Sequence, residues 1–169
     1  MKVLIMAAGR GTRISRYLSG NPKCMVDIGG GSLIQYTVKL LKKKGIQDIG
    51  IILGYRHDVI KKELSVCEGI QYFYNPFFDV TNSIASAWFA KEFFTNDDMI
   101  LMNGDVYLEE TLLDQIFASQ RNPVLFSDET RKEEADYKFY YENNILKKYG
   151  KELKGNDVTG EYIGIARIN

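Results

Sequence analysis

The apolar run Val3-Leu4-Ile5-Met6 breaks directly into Ala7-Ala8-Gly9-Arg10-Gly11-Thr12-Arg13. An apolar run of this kind, closed by a glycine-rich turn, reads as a buried strand. The glycines let backbone come close to a ligand and turn N–H groups toward an anion. Pro22-Lys23 follows in the same stretch. Arg13 and Lys23 can together supply countercharge to a polyphosphate. The spacing is not that of a P-loop, because no Gly-Lys-Ser/Thr follows at the required distance. It is not the dinucleotide fingerprint either, since Ile14 stands at the third glycine position. For Gly9 and Gly11 alone, an ordinary turn that needs glycine for its dihedrals is the alternative.

Strand and helix signals alternate after this loop. Strands are expected over 2–7, 48–53, 70–74, 98–103 and 123–127, from short apolar runs. Between them, Ser32 can cap a helix over 33–44 with Leu33, Ile34, Val38 and Leu41 on one stripe and Gly45 at its end. Further helices are expected near 57–65, over 82–94 behind Thr81 or Asn82, and over 109–119. Short apolar strands separated by amphipathic helices predict a mostly parallel sheet with helices on both faces. Ligands of such sheets bind beyond the carboxyl ends of strands. The Gly9 loop, Gly54-Tyr55, Asn75 and Asp105 all fall at such ends. From about residue 128 the pattern changes. A charge-rich loop over 128–136 is followed by two pairing strands, 137–141 and 145–149, across Glu142-Asn143-Asn144, and by a strand over 161–168.

The 169 residues suit one domain, and 45% apolar content suits one sizeable core. The 22 basic and 22 acidic side chains balance, which argues against a general nucleic-acid or membrane-surface binder. Cys24 and Cys67 show no metal spacing, and residues 1–8 are too short for a secretory signal, so a cytoplasmic setting is expected. No run approaches a membrane span.

Asp105 follows an apolar strand and Gly104. A carboxylate at that edge, beside a phosphate loop, is placed to hold Mg²⁺, although capping the next turn is the plainer role. The lone histidine, His57, opens a polar helix and reads as a surface or capping residue. No Ser-His or Cys-His arrangement stands out. Phosphoryl and nucleotidyl transfer need positioning and countercharge more than covalent groups. An attacking phosphate or phosphonate is already largely anionic near pH 7 and requires no general base.

Ala7-Ala8-Gly9-x-Gly11-x-Arg13, Pro22-Lys23, Gly54-Tyr55, Asn75-Pro76, Thr81-Asn82-Ser83 and Gly104-Asp105 together resemble nucleotidyltransferases that make activated sugars and alcohols. Within that group the chain is most similar to the CTP-dependent branch acting on phosphocholine, phosphonates or inositol phosphate. The resemblance implies a Rossmann-like three-layer α/β/α fold with a mostly parallel mixed sheet, in a single domain over 1–169. A nucleotide-binding core would span 1–127 and acceptor-side strands 128–169. It implies that Ala7, Ala8 and Gly9 contact base and ribose, that Gly11, Thr12 and Arg13 hold the triphosphate, and that Lys23 neutralises the α-phosphate. It puts Asn82, Ser83 and Gly104 beside the nucleotide and gives Asp105 the Mg²⁺. Asp136, Tyr137, Lys151 and Glu161 fall to the acceptor, with Lys151 as a second phosphate contact.

The same resemblance implies a longer chain, with a second metal-binding aspartate beyond the Glu161 strand, whereas this sequence reaches Asn169. A C-terminally short member is therefore expected, and apolar surface left uncovered would favour a homodimer. Residues 72–94 are dense in aromatics, as is 137–141. Most such side chains serve the core, but a quaternary ammonium would favour an aromatic cage with a nearby carboxylate, and Tyr137, Asp136 and Glu161 are the candidates. The reaction expected is CMP transfer from CTP to a phosphorylated small alcohol or phosphonate, with release of pyrophosphate. A sugar-1-phosphate nucleotidyltransferase using UTP, dTTP or GTP, and a nucleotide-binding domain impaired in catalysis, are the alternatives.

Overall fold

The structure is a computed structural model that describes residues 1–11, 18–95, 97–130, 132 and 135–168. β1 (Lys2–Ala7) lies inside the sheet, and its side chains alternate between two cores. Val3, Ile5 and Ala7 join one, while Leu4 joins the other together with Ala8 just beyond the strand. Both faces of this strand are therefore covered, as a parallel α/β sheet requires.

The larger core receives α1 (Leu33–Lys43), α2 (His57–Glu63) and α4 (Glu110–Ala118). Ile34, Val38 and Leu41 form the inward stripe of α1, Ile60 enters from α2, and Leu113 and Ile116 enter from α4. Full burial of one such side chain stabilises by about 1.5–3 kcal/mol relative to exposure. Ser32 caps α1 as expected: its Oγ accepts from Gln35 N at 3.3 Å and donates to Glu63 Oε1 at 2.7 Å, tying α1 to the end of α2. Ser32→Ala is expected to cost about 1 kcal/mol, lowering Tm by about 2–4 °C. An unchanged thermal melt would show that the cap is dispensable.

β2 (Ile49–Leu53) and β3 (Ile70–Tyr74) extend the sheet on one side of β1, and β4 (Met99–Asn103) lies on the other, all parallel. β8 (Gly160–Ile168) runs antiparallel to β4. Glu161 near its start pairs with Lys138 of β6 (Lys138–Glu142), and its other edge carries β5 (Val124–Asp128). β6 forms a hairpin with β7 (Ile145–Gly150). Asn143 and Asn144 turn that hairpin with φ of 51° and 61°, the left-handed pair that a two-residue hairpin turn demands. The mixed sheet thus runs β3-β2-β1-β4-β8-β6-β7, with β5 attached to β8.

One expectation changes in detail. The helix expected over 82–94 divides into α3 (Ser83–Trp88) and a 3-10 turn, Lys91–Phe93. The break lets Ala90 and Phe93 turn into the smaller core against Leu4 and Met99, while Ile84 and Trp88 stay on the surface. Lys43 and Lys44 stand at the end of α1. They bridge α1 to α4 through Glu110 and Asp114, at 2.6–3.0 Å, although surface pairs of this kind contribute only about 0–1 kcal/mol each.

Candidate active site

Strand order reverses at β1, which has β2 on one side and β4 on the other. Register sets Ala7 beside Leu53 and Met6 beside Asn103, so the three strands end level. Loops leave a switch point of this kind in opposite directions and open a crevice between them. A cleft of about 230 Å³ lies there. Ala7, Gly9 and Gly11 line it from the first loop, Lys23 and Cys24 from the 3-10 turn Lys23–Met25, Gly104 and Asp105 from the end of β4, and Ser83 from the head of α3.

Gly104 keeps the two strands in contact. Its N–H donates to Met6 O at 2.9 Å, and an added Cβ would stand 3.1 Å from Ala7 Cβ. Lys23 Nζ lies 3.3 Å from Asp105 Oδ2. Gly11 has φ of +65°, and a Cβ there would fall 2.3 Å from Lys23 Cγ. The lysine stem therefore lies across the glycine loop, and loop and ammonium form one unit. Asp105 does not cap the next helix, because the residue at the head of α4 is Glu109.

A second cleft, of about 260 Å³, adjoins the first and shares Met6, Gly9 and Ser83 with it. Ala8, Phe78, Asn82, Ile84 and Tyr137 complete most of its wall. Asn82 Oδ1 accepts from Ala85 N at 2.9 Å and caps α3, so that oxygen is already engaged. Tyr137 is half exposed, and the Lys151 ammonium stands 5.1 Å from its ring centroid. Glu161 Oε1 accepts from the Asp136 N–H at 3.0 Å. The four residues expected at an acceptor thus meet in one region, and of these four Tyr137 reaches the second cleft. Thr12 and Arg13 lie outside the described residues.

Asn75 does not belong to the site, contrary to the expectation that it joins the strand-end cluster. It is fully buried. Its Nδ2 donates to Thr81 Oγ1 and Ser86 Oγ, both at 2.9 Å, and its Oδ1 accepts from Phe77 N at 2.8 Å. These bonds shape the segment 75–86 from behind. Several of the dense aromatics are also not core. Tyr74, Phe77 and Trp88 are exposed, whereas Phe73 and Phe93 pack edge to face inside.

Burial, with Asp105's charge adding to it, raises the Cys24 thiol from 9.0 to about 12. Cys24 therefore stays a neutral thiol at ordinary pH and is not a nucleophile. Above pH 9 the unfolded chain loses this proton while the folded chain keeps it, so this group's contribution to stability falls as pH rises from about 9 to about 12. Iodoacetamide at pH 8 is expected to label the partly exposed Cys67 and spare Cys24 until the chain is unfolded. Equal labelling rates in the folded protein would contradict the burial.

Among the described residues no group of three or more His, Cys, Asp or Glu could enclose a metal ion. Asp105 offers a single carboxylate, part-exposed on the cleft wall. That donor set suits Mg²⁺, which is commonly held by one or two carboxylates with phosphate oxygens and water completing its shell. It does not suit a closed protein cage. Among the described residues no helix is long and apolar enough to cross a membrane.

Fold and cleft together define a mostly parallel α/β domain whose polar groups gather at the β1/β4 switch point. The chain belongs to the family of MobA-like NTP transferase domains, which it matches over residues 3–148. It is 30% identical over 131 residues to a CTP:phosphoglutamine cytidylyltransferase of Campylobacter jejuni, covering 74% of this chain and 52% of that one. It is 35% identical over 111 residues to a choline-phosphate cytidylyltransferase of Streptococcus pneumoniae, covering 64% and 46%. The match therefore spans about half the length of each of these relatives. An inositol-1-phosphate CTP transferase from T. maritima has the same fold, with a TM-score of 0.81 at 20% identity, over 99% of this chain and 70% of that one.

Proposed function

We propose that the chain carries the nucleotide site of a cytidylyltransferase that moves CMP from CTP to a phosphorylated small alcohol or a phosphonate and releases pyrophosphate. The observation that carries this reading is the Lys23–Asp105 pair on the wall of the cleft, beside the glycine loop. Ala7, Ala8 and Gly9 meet base and ribose; Gly11, with Thr12 and Arg13, takes the triphosphate; Asn82, Ser83 and Gly104 flank the nucleotide. Asp136, Tyr137, Lys151 and Glu161 face the acceptor.

In this reading an acceptor phosphate or phosphonate oxygen attacks the α-phosphorus. The bond from that phosphorus to the oxygen bridging α and β breaks, and pyrophosphate leaves with the electron pair. The acceptor is already anionic near neutral pH, so no side chain has to remove a proton. Lys23 holds its ammonium where negative charge grows on the α-phosphate, the kind of fixed countercharge that lowers such barriers most. Asp105 would hold Mg²⁺, which when bound neutralises the phosphate oxygens and the departing pyrophosphate.

The test is pyrophosphate release with Mg²⁺, across CTP, UTP, dTTP and GTP and a panel of phosphocholine, a phosphonate, inositol 1-phosphate and glucose 1-phosphate. Release confined to CTP with a phosphorylated alcohol or phosphonate is the expected result. Preference for a sugar 1-phosphate with another base would replace the reading. Nucleotide-dependent thermal stabilisation without turnover would leave a binding domain.

A further inference from the structure

We infer that Tyr55 and Arg56, on the corner that follows β2, are positioning residues that fix both ends of the segment between Ala8 and Lys23 and so set Lys23 against the phosphate site. The role rests on the proposed nucleotide reading, since it concerns the same cleft.

The corner grips the near end of the segment first. Tyr55 N–H donates to Ala8 O at 2.9 Å. The Arg10 guanidinium lies over the Tyr55 ring, 5.3 Å from its centroid, and is paired with Asp79 at 2.7 and 2.8 Å. Arg10 is thus held by two partners and acts as a strut, not as free countercharge for a phosphate.

The same corner grips the far end. Tyr55 Oη donates to Gly20 O at 3.0 Å. Arg56 Nη1 reaches Gly20 O at 3.3 Å and Asn21 Oδ1 at 2.9 Å. Two residues later the chain enters the 3-10 turn that presents Lys23. Arg56 itself has φ of 46° and ψ of 43°, the left-handed region that glycine favours and arginine rarely adopts. That backbone aims its guanidinium back toward residues 20 and 21.

These contacts are exposed or part-buried, so their loss changes global stability little. Their effect is geometric. An error of about 1 Å in a charged group can cost on the order of a hundredfold in rate, and the far end of the segment leads straight into Lys23.

The experiment is the double variant Tyr55→Phe/Arg56→Ala, read two ways. Amide hydrogen exchange reports the turn itself, through Asn21 N–H to Leu18 O, Met25 N–H to Pro22 O and Val26 N–H to Lys23 O. Exchange of these amides is expected to rise about tenfold while Ile5 and Ile51 in the core stay unchanged. The kcat for pyrophosphate release from CTP with Mg²⁺ is expected to fall about tenfold while KM for CTP moves much less, with Arg56→Lys in an otherwise unchanged chain falling between. Asn21→Ala removes one contact from the opposite side and is expected to reproduce part of both effects without touching the corner. Unchanged exchange at 21, 25 and 26 overturns the inference. Faster exchange with full kcat also overturns it, because the clamp would then be purely structural. Absence of pyrophosphate release by the unmodified protein with every nucleotide and acceptor of the panel defeats the functional reading instead, and the exchange arm alone then decides the clamp.

Discussion

Lys23→Ala lowers kcat for pyrophosphate release by on the order of 10²–10³-fold, while KM for CTP moves much less. The expectation follows from where the ammonium stands. It lies 3.3 Å from Asp105 on the cleft wall, with its stem across Gly11. Its partner in the free protein is a part-exposed carboxylate, and such pairs contribute about 0–1 kcal/mol to folding. Transition-state charge lost at a fixed donor is worth about 2.7–4 kcal/mol. The catalytic effect therefore outweighs the structural one, and the variant should melt normally. Asp105→Asn should likewise leave the fold intact and remove the dependence on Mg²⁺. A kcat unchanged in Lys23→Ala, with only KM raised, would reduce Lys23 to a binding contact. Collapse of either variant in a thermal melt would make the pair a structural bridge.

Gly54→Ala should unfold the protein more readily than any surface change. A Cβ at this position would stand 2.6 Å from Ala8 O and 2.6 Å from Phe78 Cβ. Neither neighbour yields easily. Ala8 O is fixed by the Tyr55 N–H at 2.9 Å, and Phe78 packs on the smaller core. Overpacking of this kind costs about 2–3 kcal/mol, which lowers Tm by about 4–12 °C in a chain of 169 residues. Nucleotide affinity should fall with it, because Ala8 lies in the wall of the second cleft. A Gly54→Ala protein with an unchanged melt would mean that the strand end relaxes without strain.

Much of the cleft at the β1/β4 switch point was legible because it is local. An apolar run closed by a glycine loop and an aspartate behind Gly104 each announce themselves within a few residues, and the sheet brings them level without further information. Ser32 was legible as a cap for the same reason, and Asn82 as one of two candidates with Thr81, of which Asn82 is the cap. Asn75 misled because its position at a strand end is also that of a ligand-facing residue, and only its burial against Ser86 and Thr81 separates the two roles. Arg10, Tyr55, Arg56 and Asp79 escaped for the opposite reason. Arg10 and Asp79 are 69 positions apart, and no local pattern announces such a pair. Gly54-Tyr55 was visible as a motif, but the grip of Tyr55 on residues 8 and 20 exists only once the strands stand side by side. The interruption after Trp88 was likewise hidden, since the demand of the smaller core for Phe93 is a tertiary one.

The placement of β8 has a consequence for how the molecule is made. Among the described residues, β5 and the β6–β7 hairpin join the sheet through β8, and β8 in turn joins the parallel half through β4. On the ribosome the first four strands can pair as they emerge. The later three must wait as unmoored pieces until residues 160–168 arrive, and only then can the two flanks of the cleft face one another.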